Sequence, residues 1–173
     1  MRIGLLLMLS AATLALADTP MIALDVGHSW RKPGAVSARG SKEFTFNRAL
    51  AEIVVKTLQK QGFRVSLNGI DGTLDDLYAR PRLANGADFL LSIHHDSVQP
   101  QYLKPWTVDG KPRRYSDRFS GFSLFVSHRN PRFEQSLACA SALGAALRAA
   151  GFTPSTHHAE PIPGENRPFA DRE

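Results

Sequence analysis

The sequence predicts an α/β fold: three layers, with a mostly parallel twisted sheet that carries helices on both faces. The first observation is the short apolar run "MIALDV" at 21–26, which is typical of a buried strand. The second is a helical spacing of apolar residues over 43–61, ended by Gly62. The third is the alternating run "FRVSL" at 63–67. A strand, a helix and a strand in this order predict a parallel βαβ unit.

The rest of the chain predicts further elements of the same class. Residues 72–85 predict a short helix interrupted by a proline, and "DFLLSI" at 88–93 predicts a third strand. "GFSLFV" at 121–126 predicts a fourth strand, and the alanine-rich run at 133–150 predicts a helix. Between the third and fourth strands, residues 97–120 predict a long basic loop with interspersed aromatic residues, and loops of this length are usually functional or disordered.

The first 17 residues predict a secretory signal peptide. Arg2 gives the segment a positive start, an apolar stretch follows, and Ala15-Leu16-Ala17 supplies a small-x-small cleavage site. The apolar stretch is shorter than the ~20 residues that span a membrane, so no transmembrane anchor is expected. Residues 18–173 suit a single domain of an exported protein, periplasmic or secreted, in a chain with 43% hydrophobic residues.

The net charge indicates which partners suit the chain, and the cysteine content limits its disulfide bonds. The net charge of +5 suits an anionic partner such as a membrane surface or the cell-wall polymer, and nucleic acid fits an exported protein poorly. Cys139 is the single cysteine, so an internal disulfide is excluded. Its small, apolar neighbours predict a buried and inert thiol.

Three potential metal ligands stand at corresponding places in the predicted fold. His28 follows the first strand, Glu43 opens the first helix and His94 ends the third strand. Because the carboxyl ends of parallel strands share one edge of the sheet, the three side chains are expected to converge. Two imidazoles and one carboxylate form a catalytic zinc set with a fourth position for water. Such an ion lowers the pKa of water to about 7 and polarises a carbonyl.

Each of these residues also has an ordinary structural interpretation. Glu43 could complement the dipole at a helix N-terminus, His28 could be a turn residue, and His94 could end a strand with one hydrogen bond. No compact metal-binding repeat of the HExxH kind is present in the sequence. Spacing alone therefore leaves both interpretations open.

The segments "IALDVGHSWRKPGAV" and "LLSIHHD", with Glu43 between them, resemble the zinc-dependent N-acetylmuramoyl-L-alanine amidases of the type 3 family. "IALDVGHSWRKPGAV" and "LLSIHHD" are similar to the family strands that end in D-x-G-H and S-I-H-x-N/D, and Glu43 matches the glutamate that opens the next helix. "QGFRV", "LYARPRLAN", "GFSLFVS" and "SLACASALGAAL" resemble the elements that follow. The resemblance covers residues 21–151, and the ordered set of motifs is fairly specific.

The resemblance implies that His28, Glu43 and His94 are zinc ligands. It also implies hydrolysis of the amide between N-acetylmuramic acid and L-alanine in peptidoglycan, in cell-wall turnover or daughter-cell separation. His95 stands where the family usually has a small residue; it is expected to be a neighbour of the site, since side chains alternate along a strand. Asp96 matches a polar family position and is expected to orient a ligand or line the cleft.

The chain departs from the family pattern in two places. The second strand runs into "LNG" where the family has a T-R pair. The family also finishes with a strand bearing a glutamate that works as general base, and nothing after Gly151 has that pattern. Glu160, Glu165 and Glu173 lie among prolines and polar residues instead. The expectation is a domain truncated at its C-terminus without this base, whose removal typically costs about 10²–10⁴-fold in rate.

Two alternative functions stay open at this point. One is an inactive or fragmentary zinc-containing peptidoglycan-binding protein, and the other is a different exported zinc amidohydrolase or peptidase. His157 and His158 are interpreted as polar histidines of a tail, with a fourth zinc ligand as the alternative, and His128 as a surface residue. The basic and aromatic stretch 102–119 is a candidate for contacting glycan or covering the cleft.

Overall fold

The computed structural model of the chain describes residues 19–160 and 162. The signal peptide predicted at 1–17 lies outside the described residues. Within the described part of the chain, no helix has both the length and the apolar character needed to cross a membrane.

The chain divides into two compact units. The first comprises the described residues up to Gly34 together with Glu43–His95. The second comprises Ala35–Lys42 and the described residues from Asp96 onwards. The first unit contains a parallel sheet, and the second contains an antiparallel hairpin and a long helix. The predicted α/β class with a mostly parallel sheet is confirmed.

Five elements build the first unit. They are β1 (Met21–Val26), α1 (Glu43–Lys60), β2 (Arg64–Asn68), α2 (Ala79–Leu83) and β3 (Phe89–Ile93). The sheet order is β2-β1-β3 and both pairings are parallel, as the predicted βαβ unit requires. Because Val26 of β1 pairs with Ile93 of β3, the segments after these two strands leave the sheet at the same edge.

The core of the first unit lies between the sheet and α1. Helix α1 contacts all three strands. Its buried residues include Phe44, Asn47 and Ala51, while Leu50 and Ile53 are exposed. The fully or nearly fully buried apolar side chains of the core are Leu24, Val26, Phe44, Ala51 and Ile93. The stripe facing the sheet thus contains a polar residue, Asn47, which belongs to the site described below.

Helix α2 is continuous through Pro81, although the sequence predicts a helix interrupted there. Pro81 is the third residue of Ala79–Leu83. The first-turn N–H groups of a helix have no partner within the helix, so a proline at this position removes no helical hydrogen bond.

Part of the segment predicted as a loop forms a β-hairpin in the second unit. Strands β4 (Lys104–Val108) and β5 (Lys111–Tyr115) pair antiparallel. Asp109 and Gly110 connect them with φ values of 50° and 68°, which is the left-handed geometry of a two-residue hairpin turn. The loop prediction over 97–120 is therefore wrong here; basic residues and prolines in the strands obscured the Asp-Gly turn signal.

The long helix α3 spans Phe133–Ala149, close to its predicted bounds. None of its residues is fully buried. Cys139 is exposed on it, so the prediction of a buried thiol is wrong. The partly buried residues of α3 form a single stripe along the helix, and Cys139 lies outside that stripe.

The fourth strand predicted at 121–126 does not form. Phe122 makes a single parallel bridge to Pro154, and the segment has no further strand pairing. Two of its apolar side chains approach α3 instead: Leu124 Cδ1 and Phe122 Cε2 lie 3.5 and 4.0 Å from the place that a Cβ on Gly144 would occupy. The apolar residues that predicted a strand here thus pack in part on a helix.

Candidate metal centre

The structure brings His28, Glu43 and His94 together within the first unit. His28 Nε2 lies 3.1 Å from Glu43 Oε2, and His94 Nδ1 lies 3.0 Å from Glu43 Oε1. The two imidazole rings meet edge to face, with centroids 4.9 Å apart. The glutamate opens α1, and the two histidines follow β1 and β3, so the shared strand edge creates the convergence.

His28 is held in an unusual backbone conformation. Its φ of 69° lies in the left-handed region, which costs about 1–2 kcal/mol for a residue with a side chain. The ring Nδ1 donates to the Lys32 carbonyl at 3.1 Å. That hydrogen bond fixes the tautomer and leaves Nε2, the nitrogen facing Glu43, as the one that can ligate a metal.

Two glycines allow the close approach of these side chains. A Cβ on Gly27 would lie under 3.0 Å from His94 Nε2. A Cβ on Gly34 would lie under 3.0 Å from both Glu43 Oε2 and the ring of His28, and Gly34 also has a φ of 75°. A side chain at either position would therefore force these ring or carboxylate atoms to shift.

Arg80 secures the strand ends that carry both histidines. Its buried guanidinium donates to Asp25 Oδ1 at 2.8 Å. Its other acceptors are the carbonyl oxygens of Val26, His28 and Leu74, at 2.6, 2.7 and 2.7 Å. The hydroxyl of Ser92 donates to the second carboxylate oxygen of Asp25 at 2.6 Å. Asp25 and Arg80 therefore connect the end of β1 to β3 two residues before His94.

Asn47 and His95 form a second layer around Glu43. The fully buried Asn47 donates to the Gly27 carbonyl at 2.9 Å and to Glu43 Oε1 at 3.3 Å. Its Oδ1 lies 2.7 Å from His95 Nδ1, and the His95 backbone N–H donates to Glu43 Oε1 at 3.1 Å. Burial lowers the pKa of His95 from its ordinary value of 6.5. The charge of Glu43 opposes this shift, and His94 lowers the pKa further. His95 is thus a neighbour of the cluster that contacts both Asn47 and Glu43.

The donor set and the available space fit a zinc ion. Two imidazoles and one carboxylate are ligands that zinc accepts in catalytic sites. The glutamate is 5% exposed, and a buried carboxylate needs a compensating positive charge. Gly27 and Gly34 allow the backbone to pack closely against the three potential ligands.

The other histidines discussed in the sequence analysis, His128, His157 and His158, lie in the second unit. Asp96 Oδ2 is 2.6 Å from His158 Nε2, and His157 completes a cluster with them. His157 is buried, with 8% of its surface exposed, which the tail interpretation did not anticipate. His128 is exposed and stacks on Phe133 at a centroid distance of 4.2 Å.

No general base is assigned among the glutamates after Gly151. The Glu160 carboxylate accepts a hydrogen bond from the Tyr102 hydroxyl within the second unit. That hydrogen bond raises the pKa of Tyr102. Glu165 and Glu173 lie outside the described residues. The predicted lack of the family's general base stays a prediction.

The sequence analysis missed the supporting residues Asn47, Arg80 and Gly34. Asn47 stands four residues after Glu43 and so shares its helix face, which was an available signal. Arg80 lies in the segment "LYARPRLAN" and Gly34 in the segment "IALDVGHSWRKPGAV", and neither sequence context indicates a role at the site. Their roles depend on contacts between elements that are distant in sequence.

Comparison with solved structures finds several amidases. An N-acetylmuramoyl-L-alanine amidase from Clostridium difficile 630 is 26% identical, with a TM-score of 0.47 and coverage of 52% of this chain and 50% of that chain. The catalytic domain of CwlV from Bacillus (Paenibacillus) polymyxa var. colistinus is 32% identical, with a TM-score of 0.43 and coverage of 45% and 46%. AmiC2 of Nostoc punctiforme is 24% identical, with a TM-score of 0.45 and coverage of 47% and 46%. The chain thus spans about half the length of the solved structures it matches.

A family model gives the more extensive match. The comparison with curated proteins finds no match. The model of the type 3 N-acetylmuramoyl-L-alanine amidases matches residues 22–161, well over half of the chain. The match includes the cluster of His28, Glu43 and His94 as well as most of the second unit. The chain belongs to the N-acetylmuramoyl-L-alanine amidase family.

Proposed function

We propose that the chain is an exported, zinc-dependent N-acetylmuramoyl-L-alanine amidase. It hydrolyses the amide between N-acetylmuramic acid and L-alanine in peptidoglycan, in the periplasm or outside the cell. The observation that carries this proposal is the convergence of His28, Glu43 and His94 in a chain of the amidase family. Cell-wall turnover or daughter-cell separation is the process in which such an activity acts.

The three residues of the cluster would hold the metal ion. A bound zinc ion would polarise the scissile carbonyl as a Lewis acid and lower the pKa of a water molecule to about 7. Glu43 contributes one negative charge and the two imidazoles are neutral ligands, so the loaded site keeps a net positive charge. That charge favours the negative charge that develops on the carbonyl oxygen during hydrolysis.

The surrounding residues would keep the cluster in one geometry. Arg80 fixes the backbone of His28, and Asn47 fixes the Glu43 carboxylate through a direct hydrogen bond. Outer partners of this kind typically contribute 10–100-fold in metal affinity or activity. The extent of this network supports a functional site over an isolated group of polar side chains.

The hairpin of β4 and β5 is the proposed contact to the wall polymer. Lys104, Lys111 and Arg114 are exposed on it and would attract anionic groups of peptidoglycan. Trp106 and Tyr115, with ring centroids 5.3 Å apart, add an aromatic surface. Deletion of the hairpin should weaken binding to purified cell walls, and unchanged binding would remove this part of the proposal.

The decisive experiment incubates the zinc-loaded full chain with purified peptidoglycan. We expect soluble stem peptides that begin with a free L-alanine amino group, identified by mass spectrometry. The Glu43→Gln variant should release none. Glu52→Gln is the matched control, because Glu52 lies on the same helix but is exposed and pairs with Arg48 of that helix.

Two other outcomes would replace the proposal. If the chain binds zinc and cell walls but releases no peptide, it is a zinc-containing peptidoglycan-binding protein without the general base. If it cleaves free peptides and leaves muropeptides intact, it is another exported zinc amidohydrolase or peptidase.

A further inference from the structure

The second unit contains a separate cluster of side chains that can ligate a metal ion. Asp96, His157 and His158 each offer one ligand atom, and these atoms all lie within 4.8 Å of one another. His158 Nε2 is 2.6 Å from Asp96 Oδ2. The two imidazole rings lie side by side, with centroids 4.0 Å apart and planes inclined by 39°.

His157 is oriented from its outer side. Its Nδ1 lies 2.9 Å from the hydroxyl of Ser155, so Nε2 is the nitrogen on the side of the cluster. Ser155 is itself fixed, because its N–H donates to the Phe122 carbonyl at 2.7 Å and its carbonyl accepts from the Ser123 hydroxyl at 2.8 Å. A partner on the outer nitrogen is the usual arrangement for a histidine that ligates a metal.

Two aromatic rings border the cluster. Phe119 lies against His157 at a centroid distance of 5.5 Å, and Phe125 meets His158 edge to face at 5.1 Å. Apolar neighbours reduce solvent around the ligand atoms, which strengthens the attraction between an ion and its ligands.

We propose that Asp96, His157 and His158 bind a divalent metal ion of the zinc class, in addition to the ion of the amidase site. Imidazole nitrogens and a carboxylate oxygen are the ligand types that zinc binds in proteins. Zinc binds histidine nitrogen and carboxylate oxygen at about 2.0–2.2 Å, so tetrahedral ligand atoms lie about 3.3 Å apart. The ligand atoms lie within 4.8 Å of one another, so the side chains would move closer together when an ion binds.

The site would stabilise the second unit. Asp96 begins the longer of the two segments that form that unit, whereas His157 and His158 lie on a 3₁₀ turn, His157–Ala159, near the end of the described chain. An ion shared by these residues closes a long loop, so its binding free energy adds to the folding free energy of this part of the protein. The inference does not depend on amidase activity.

The test counts zinc ions on the metal-stripped full chain by calorimetric titration and elemental analysis. We expect two equivalents for the wild type and one for His158→Gln. His128→Gln is the matched control and should keep two equivalents, because His128 is exposed and lies outside both clusters. Glu43→Gln should lose the ion of the other cluster and keep this one. Cobalt absorption bands would report the ligand environment of each ion separately.

The outcomes separate this proposal from the proposed amidase function. A wild type that binds one ion, lost in Glu43→Gln and retained in His158→Gln, would overturn the second site and leave the first. One ion lost only in His158→Gln would support the second site and remove the first. If His158→Gln does not fold, Asp96→Asn gives the same readout at an exposed position of nearly unchanged shape.

Discussion

The two clusters proposed to bind metal share a donor set but differ in construction. Each has two imidazoles and one carboxylate. In the first cluster the carboxylate of Glu43 is 5% exposed and opens an 18-residue helix, and the histidines follow two neighbouring strands. In the second cluster the side chain of Asp96 is 55% exposed, and the histidines lie on a three-residue turn.

This difference implies different behaviour without metal. A buried carboxylate between two imidazoles carries a desolvation cost that a bound cation offsets. A solvated aspartate can instead persist as an ordinary pair with a histidine. We therefore expect a bound ion to stabilise the rigid frame of the first cluster, and the side chains of the second cluster to adjust when an ion binds. The predictions below test that contrast, beginning with the largest effect.

The largest effect is expected from Glu43→Gln. The amide replaces the one charged ligand of the first cluster, so its zinc ion and the release of peptides from peptidoglycan should both be lost. The decrease should exceed about 100-fold in affinity, because changes to outer partners alone cost 10–100-fold. Zinc titration beside the exposed control Glu52→Gln measures it. Wild-type affinity in Glu43→Gln would exclude Glu43 as a ligand.

Arg80→Ala should give the largest loss of stability. It leaves the Asp25 carboxylate buried and without its ion pair, which typically costs about 3–5 kcal/mol. Arg82→Ala is the matched control on the same helix, because its pair with Asp76 is exposed and should leave the denaturation midpoint nearly unchanged. Urea denaturation of both variants tests this. Equal shifts would mean that Arg80 does not support the first cluster.

The contrast between the clusters also shows which parts of the candidate sites could be predicted from the sequence. β1, α1 and β3 follow from local apolar patterns, and the rule that parallel strands share an edge then brings His28, Glu43 and His94 together. Arg80 could not be placed in this way, because three of its hydrogen bonds go to acceptors more than 50 residues away in sequence.

The second cluster shows the opposite case. Its residues stand on no periodic element, so no local pattern brings Asp96 near His158. The apolar run at 121–126 was misread as a strand for a related reason: packing on α3 and strand pairing select similar residues. The hairpin of β4 and β5 carried a local signal, Asp109-Gly110, that the basic composition obscured.

Gly34→Ala should affect the first cluster in a way that a comparable glycine does not. Gly34 and Gly62 both have positive φ, so alanine costs about 1–2 kcal/mol of stability at either position. Only at Gly34 would the new Cβ meet Glu43 and His28, since nothing lies within 4 Å of a Cβ on Gly62. Zinc affinity should fall about 10–100-fold in Gly34→Ala alone. Equal zinc affinity in the two variants would contradict the proposed cradle.

The smallest effect is expected from Asp96→Asn in the metal-free protein. The pair with His158 is partly exposed, so its loss should change the free energy of unfolding by less than about 1 kcal/mol. With Zn²⁺ at 100 times its dissociation constant, the wild type should gain about 2.7 kcal/mol from the second ion, and the variant should not. Thermal denaturation of both proteins in the Glu43→Gln background isolates this gain. If zinc stabilises both proteins equally, Asp96 is not a ligand. If the metal-free variant is much less stable than the metal-free wild type, the second cluster is as rigid as the first.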